Sequence, residues 1–218
     1  NFQWVQSSLE ILRQFHQQGG QRVVMAGTCA EYDWNYGYCS ELLTPRNPQT
    51  IYGVCKKSLQ EMFEVYCKQY NLSGAWGRIF FVYGPYENPE RLIPYVTCSL
   101  LKNEVALCGS GEQFRDFLYV EDAANAFVSL LNSDVTGAIN IASGQPIQIK
   151  KIVQKIATIT DKPQLVQLGP KSMDNQNRSD NFLVANINRL VSELNWQQKF
   201  NLDEGLNLTV NWWINNLK

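Results

Sequence analysis

Histidine is almost missing from this chain: His16 is the only one, and it lies at the polar end of a helical stretch. The six cysteines, Cys29, Cys39, Cys55, Cys67, Cys98 and Cys108, include no C-x-x-C pair and have no His-rich segment beside them. Both absences exclude the common zinc-binding patterns, and no metal site is expected. No apolar run is long enough to span a bilayer as a helix, so no membrane role is expected. Charge of either sign is scarce and balanced, with a net value of −1 and scattered Lys and Arg, which removes the electrostatic footprint of a nucleic-acid partner. The first residues read as an amphipathic helix and not as a signal peptide, so none is expected. A cytosolic protein keeps its thiols reduced, and the expected location is cytoplasmic.

What is present is an ordinary globular composition, 44% hydrophobic, in a chain long enough to bury roughly 70% of its unfolded surface. Residues 2–18 place Phe2, Val5, Leu9, Leu12 and Phe15 at helical spacing, and Gly19-Gly20 stops the helix. The run R-V-V-M-A at 22–26 reads as a buried parallel strand, followed by a turn-rich aromatic stretch over 27–50. A helix over 52–70 and a strand over 75–82 continue the alternation. Helices are predicted at 93–102, 121–131, 149–160, 187–194 and 202–217. Extended segments are predicted at 105–108, 114–120, 138–142 and 164–168, with a polar loop through Arg178. Strands alternating with helices predict an α/β fold with a mainly parallel, doubly wound sheet.

A doubly wound dinucleotide fold opens with a strand, a glycine-rich turn and a helix, and no G-x-G-x-x-G stands in that setting here. Gly109-Ser110-Gly111 leads into a strand-like segment and reads as a turn. The strand at 22–26 therefore lacks its neighbour. So apolar an edge is an aggregation hazard, and the expectation is that about 90 further residues, three βα units, precede Asn1.

Tyr52 and Lys56 form a Y-x-x-x-K pair at the start of a predicted helix. Side chains at i and i+4 share a face, and an ammonium there stabilises a tyrosinate, which makes the phenol a usable acid and base. Taken alone the pair is weak evidence, since Y-x-x-x-K occurs often by chance and its ordinary reading is a surface pair on a helix. Its surroundings decide: G-T-C-A-E-Y after the strand, E-x-x-T-P-x-x-P (Glu41, Thr44, Pro45, Pro48), Y-G-V-C-K, R-I-F-F-V-Y-G-P, G-S-G-E-Q-F-R-D-F-L-Y-V-E-D, G-A-I-N-I-A-S-G and E-G-L-N-L-T-V-N-W-W. In that order, over essentially the whole chain, these segments resemble the extended short-chain dehydrogenase/reductase family that modifies nucleotide-linked sugars.

The resemblance implies a Rossmann-like domain, residues 1–87, whose N-terminal strands are missing, and a smaller α/β substrate domain, 88–218, with 114–142 partly returning to the sheet. It implies NAD or NADP as cofactor, a nucleotide-diphosphate sugar as substrate, and a homodimer through the helices near 2–18 and 52–70. Tyr52 would be the acid/base and Lys56 its partner, with Val82, Tyr83 and Gly84 lining the nicotinamide side. The usual third residue, a Ser or Thr, is here Cys29 by register or Thr28 by chemistry. Glu31 falls where 4,6-dehydratases of the family carry a catalytic glutamate, but their preceding aspartate is Ala30. Keto reduction or epimerisation is therefore expected ahead of dehydration, and Glu31 reads equally as a loop-capping carboxylate.

Arg115 matches the family's diphosphate-gripping arginine, and a guanidinium fork suits phosphate oxygens; the structural alternative is a buried ion pair with Asp116 or Asp122. Arg178 resembles a second diphosphate ligand, Arg91-Leu92 replaces a common Asn-Leu, and Val105-Ala106 marks the strand beside the base. Arg91 and Arg178 read equally as solvated loop arginines. Asp122 is read as a helix-start carboxylate and the Trp212-Trp213 pair as core packing. Against the enzyme stands a redox-inactive member of the same fold that binds a nucleotide or a partner protein, in which an intact Tyr52/Lys56 pair has no evident use.

Overall fold

The computed structural model describes residues 1–170 and 181–217. Its centre is a parallel sheet in the order β1 (Arg22–Thr28), β3 (Ser73–Ile79), β7 (Gly137–Ile141). Successive side chains on a strand point to opposite faces, and β3 shows both: Trp76 packs with Leu12, Leu59 and Phe63, whereas Ala75 packs with Ala126, Leu130 and Ile139. The first set comes from α1 (Phe2–Gln17) and α2 (Ile51–Gln69), and the second includes α4 (Val120–Leu131). Helices thus cover both faces of a parallel sheet, the doubly wound α/β arrangement. In α1 only Val5, Leu9 and Leu12 face this core, and Phe2 is exposed.

Among the described residues nothing pairs with the outer edge of β1, and its first four residues stay half-buried. The apolar run at 75–82 is not one strand. At Phe80 the chain leaves the central sheet, after the Phe80 amide donates to Ile141 O at 3.2 Å. It resumes as β4 (Phe81–Tyr83) in a second sheet, ordered β2 (Tyr38–Cys39), β10 (Phe182–Ala185), β6 (Phe114–Tyr119), β4, with β8 (Pro146–Gln148) antiparallel on β6. Strands β2, β8 and β10 have two to four residues each, too few to show a period in the sequence. Asp116 clasps this sheet: its buried carboxyl accepts from the Ser143 amide at 2.8 Å and hydroxyl at 2.6 Å, from Gly144 N at 2.9 Å and from Ala185 N at 3.1 Å.

A second core lies between α3 (Leu92–Leu101), α5 (Ile149–Ile159) and α7 (Leu202–Asn216), where Val96, Leu100, Ile152, Ile156 and Val210 are fully buried. Beside it β5 (Ala106–Cys108) pairs with β9 (Val166–Leu168), and α6 (Asn188–Leu194) returns to the central sheet through Leu190. Among the described residues no helix is long and apolar enough to cross a membrane. Leu100 is fully buried at the centre of this second core, so Leu100→Ala is expected to cost about 2–5 kcal/mol. Urea denaturation measures it, and a cost below about 1 kcal/mol would show that the three helices are not packed as described.

Candidate functional site

The C-terminal ends of parallel strands are where such sheets present chemistry, and β1 ends in the residues singled out above. Thr28 is the N-cap of a short 3-10 turn, Cys29–Glu31, and its hydroxyl accepts from Ala30 N at 3.2 Å. Glu31 folds back to accept from Thr28 N at 2.9 Å, closing a capping box. The helix that follows starts in contact with this turn. A Cβ on Gly53 would stand 2.4 Å from Ala30 O and 2.7 Å from Pro48, so only glycine lets α2 approach so closely. Thr50 caps that helix by accepting from Gly53 N at 3.0 Å.

This contact brings Tyr52 and Lys56 to the turn. Tyr52 is 45% exposed, and its hydroxyl has no hydrogen-bond partner among the described residues. Lys56 donates to Ala26 O at 2.6 Å and lies 5.5 Å from the centre of the Trp76 ring. Burial holds its ammonium below the usual lysine range, with Glu31 opposing that shift. Cys29 is buried among Tyr32, Cys39 and Phe80, and burial pushes its thiol up to about 12. The thiol therefore stays protonated. Its carbonyl is anchored by Trp34 Nε1 at 2.9 Å, which gives the aromatic segment at 34–38 a structural task.

Glu31 is wholly buried, and both its oxygens are engaged. Oε1 accepts from Thr28 N and from Trp76 Nε1 at 3.0 Å, and Oε2 accepts from Arg78 Nε at 2.7 Å. Arg78, 1% exposed, donates from its two terminal nitrogens to Tyr32 Oη at 2.9 Å and Gln60 Oε1 at 2.6 Å. Tyr32 in turn donates to Asn140 Oδ1 at 2.8 Å, and Asn140 N donates to Glu41 Oε1 at 2.9 Å. Removing one partner of such a pair leaves a buried charge unmatched, a loss of about 3–5 kcal/mol. The sequence reading missed Arg78. The signal was there: a single charge inside the apolar run A-W-G-R-I-F-F-V must find a buried partner.

Val82 to Gly84 lie at the C-terminal end of β4. The Tyr83 ring turns into the second core, its hydroxyl 3.4 Å from Leu202 O. Arg115 is 9% exposed on β6, donates to Phe114 O at 2.9 Å and lies over the Phe81 ring at 5.6 Å. It is close enough to Cys29 to favour its thiolate. Asp122 holds the segment before α7, accepting from Lys199 N at 2.9 Å and Phe200 N at 3.1 Å, instead of capping its own helix. Arg91 is the exposed N-cap of α3 and Leu92 its first residue. Val105 is 42% exposed and Ala106 buried at the start of β5. Arg178 lies outside the described residues. Trp213 is buried, while Trp212 packs on the exposed Tyr86 with ring centres 4.8 Å apart.

A further carboxyl stands at this end of β4. Glu87 Oε2 is buried without a hydrogen-bond partner among the described residues. Burial pushes Glu87 up to about 7, against the pull of Arg91 and the Gly84 amide. An acid whose folded pKa is raised makes the native state bind more protons than the unfolded one, so stability falls as pH rises through that interval. Glu87→Gln removes this titration. The variant should gain stability relative to wild type as pH rises from about 4.3 to about 7, and hold the gain above. Urea titrations at both ends of that window check it, and a difference independent of pH would refute it.

Comparison with known proteins gives these residues a context. The sequence profile described as "NAD dependent epimerase/dehydratase family" matches residues 3–142. A UDP-glucuronate 4-epimerase of Thermodesulfobacterium geofontis is 27% identical over 213 residues, 96% of this chain and 64% of the relative. Among solved structures, dTDP-glucose 4,6-dehydratase from Bacillus anthracis in complex with NAD superposes with a TM-score of 0.80 at 25% identity, covering 95% of this chain and 66% of that one. A UDP-N-acetylglucosamine 4-epimerase from Methanobrevibacter ruminantium in complex with UDP-N-acetylmuramic acid reaches 0.89 at 23% identity, covering 97% and 69%. The chain thus spans about two thirds of the length of these relatives.

Proposed function

Because this chain belongs to the NAD dependent epimerase/dehydratase family, we propose that the protein binds a nicotinamide dinucleotide and oxidises or reduces a hexose carbon, C4 by preference, on a nucleoside diphosphate carrier. The observation that supports this most directly is the seating of Tyr52 and Lys56 against the turn at the end of β1, through the Gly53–Ala30 approach. Tyr52 presents a hydroxyl with no protein partner among the described residues, ready to exchange a proton with a sugar oxygen. Lys56 stands one helical turn on, its charge available to steady the phenolate. Thr28 supplies the neutral hydroxyl of the turn, since the Cys29 thiol is turned into the core.

The donors present fit the cofactor: an ammonium and a phenol on one helix face match ribose hydroxyls, and the backbone of Val82, Tyr83 and Gly84 matches a flat amide-bearing ring. A bound nicotinamide supplies the hydride acceptor or donor. NAD is proposed ahead of NADP because it is the form held by the B. anthracis relative. For the substrate, the Arg115 guanidinium beside Phe81 and the exposed Arg91 suit a diphosphate, with Arg178 as a third arginine of that set. Val105 and the half-buried Leu92 offer apolar surface to the base, with Ala106 buried beneath them. Epimerisation and single reduction use the same residues.

The partner proposed is a second copy of the chain. Trp4 and Ile11 on α1 and Val54, Met62 and Val65 on α2 are all exposed, an apolar face on the two helices that the resemblance assigns to the dimer. Val65→Asp should halve the molar mass measured by light scattering, and an unchanged mass would place the contact elsewhere.

The catalytic assignment is tested by Tyr52→Phe and Lys56→Met in the full-length protein. Each should lower kcat by about 10²–10⁴-fold on the converted nucleotide sugar while cofactor binding persists in Tyr52→Phe. Turnover within about tenfold of wild type in Tyr52→Phe would remove the phenol from the chemistry.

A further inference from the structure

One charged side chain has no part in the chemistry assigned above and yet lies at its centre. Arg78 stands in β3 opposite Gly27 of β1 on one side and Asn140 of β7 on the other. Gly27 is a glycine for a reason that concerns Glu31: a Cβ there would lie 2.0 Å from Trp76 Nε1 and 2.7 Å from Glu31 Oε1. The chain has given up a side chain at the end of β1 so that Glu31 folds back under the strand.

We propose that Arg78 is a positioning residue whose guanidinium fixes the turn Cys29–Glu31 against the helix that carries Tyr52 and Lys56, and that Glu31 is its acceptor and not a proton carrier. The guanidinium is planar and its donors diverge at fixed angles. One arm holds Glu31, whose other oxygen holds Thr28 N; a second holds Tyr32 Oη; the third holds Gln60 on α2, one turn beyond Lys56. The spacing between the Thr28 turn and the Tyr52 helix is therefore set by one rigid group. Glu31, with 0% exposure and donors on both oxygens, is out of reach of a sugar hydroxyl.

A consequence for the reaction follows, resting on the function proposed above. Removal of water from a sugar needs a base for the C–H proton and an acid for the departing hydroxyl. Ala30 offers neither and Glu31 is enclosed, so the turn supplies no acid and base for dehydration, and the product is expected to retain the substrate's hydroxyl oxygens.

The test uses the full-length protein with NAD and with UDP-glucose or dTDP-glucose as probes. Arg78→Lys keeps the charge and loses the fork. It should lower kcat about 100-fold, the effect of a misplacement near 1 Å, leave the dissociation constants of cofactor and nucleotide sugar unchanged, and speed amide hydrogen exchange across residues 28–41. Glu31→Gln weakens the same anchor and should lower kcat by no more than Arg78→Lys does, short of the largest losses expected for a general acid or base, with both limbs of its pH profile in place. Wild-type turnover and exchange in Arg78→Lys would overturn the positioning role. A shifted pH limb in Glu31→Gln, with binding intact, would make Glu31 a proton carrier after all. Should either variant fail to fold, the wild-type product decides by mass spectrometry: equal oxygen content supports the proposal, and a product lighter by one water overturns it while leaving the nucleotide-sugar reading standing. A wild type that binds neither probe would overturn that reading, and this one with it.

Discussion

The arrangement depends on a buried ion pair at the end of the central sheet. Arg78 and Glu31 are both withdrawn from water, at 1% and 0% exposure, and neither is tolerable there without the other, because an ionised group in a low-dielectric interior needs a partner and full hydrogen bonding. That requirement propagates. Glu31 reaches Arg78 only if Gly27 lacks a side chain, if the turn Cys29–Glu31 is tight, and if Trp76 donates to the remaining lone pair. The two terminal nitrogens of Arg78 find these acceptors only if Tyr32 and Gln60 approach. The loop after β1 and helix α2, distant in sequence, thus share one anchor, and the Gly53–Ala30 contact completes the junction.

Most of the fold was legible in the sequence because its long elements announce themselves. Helices α1, α2, α3, α4, α5 and α7 each bury a stripe at helical spacing, and β1, β3 and β7 are apolar runs set between them. What escaped were the pieces whose existence is decided by partners. β2 and β10 pair with one another but carry no pattern of their own. The break at Phe80 is invisible in an unbroken apolar run, since it reflects the change from one sheet to another. Such short segments acquire strand geometry from the clasp at Asp116 and the ladders beside it, which is tertiary information.

The site divides along the same line. The placement of Tyr52 and Lys56 was readable because it is local: two side chains one helical turn apart on the first turns of a helix. Thr28 and Cys29 were readable as a position, while their division of labour was not. Only packing shows that the thiol enters the core beside Cys39 and Phe80 and that the hydroxyl caps the turn. Glu31 was ambiguous between catalyst and cap for the same reason. Its partners Trp76 and Arg78 lie 45 and 47 residues away, beyond any local motif. Asp122 shows the reverse: it occupies the expected helix start, and its carboxyl binds a segment 77 residues downstream instead.

A buried Arg–Glu pair is weak evidence for stability, because a well-packed apolar replacement is often as stable or more so. Its persistence here is better understood as geometry. A hydrophobic pair would fill the same volume and leave the turn free to slide by fractions of an ångström, whereas three diverging N–H donors hold three acceptors at set directions. The acid–base chemistry proposed between a phenol on α2 and a sugar on the Thr28 turn would be sensitive to that scale of displacement, since misplacement by about 1 Å costs roughly 10²-fold in rate. The charge in the middle of β3 therefore belongs with the exposed Tyr52 hydroxyl as parts of one device. On the function proposed above, one group would meet the substrate and the other would keep the surface it rests on in place.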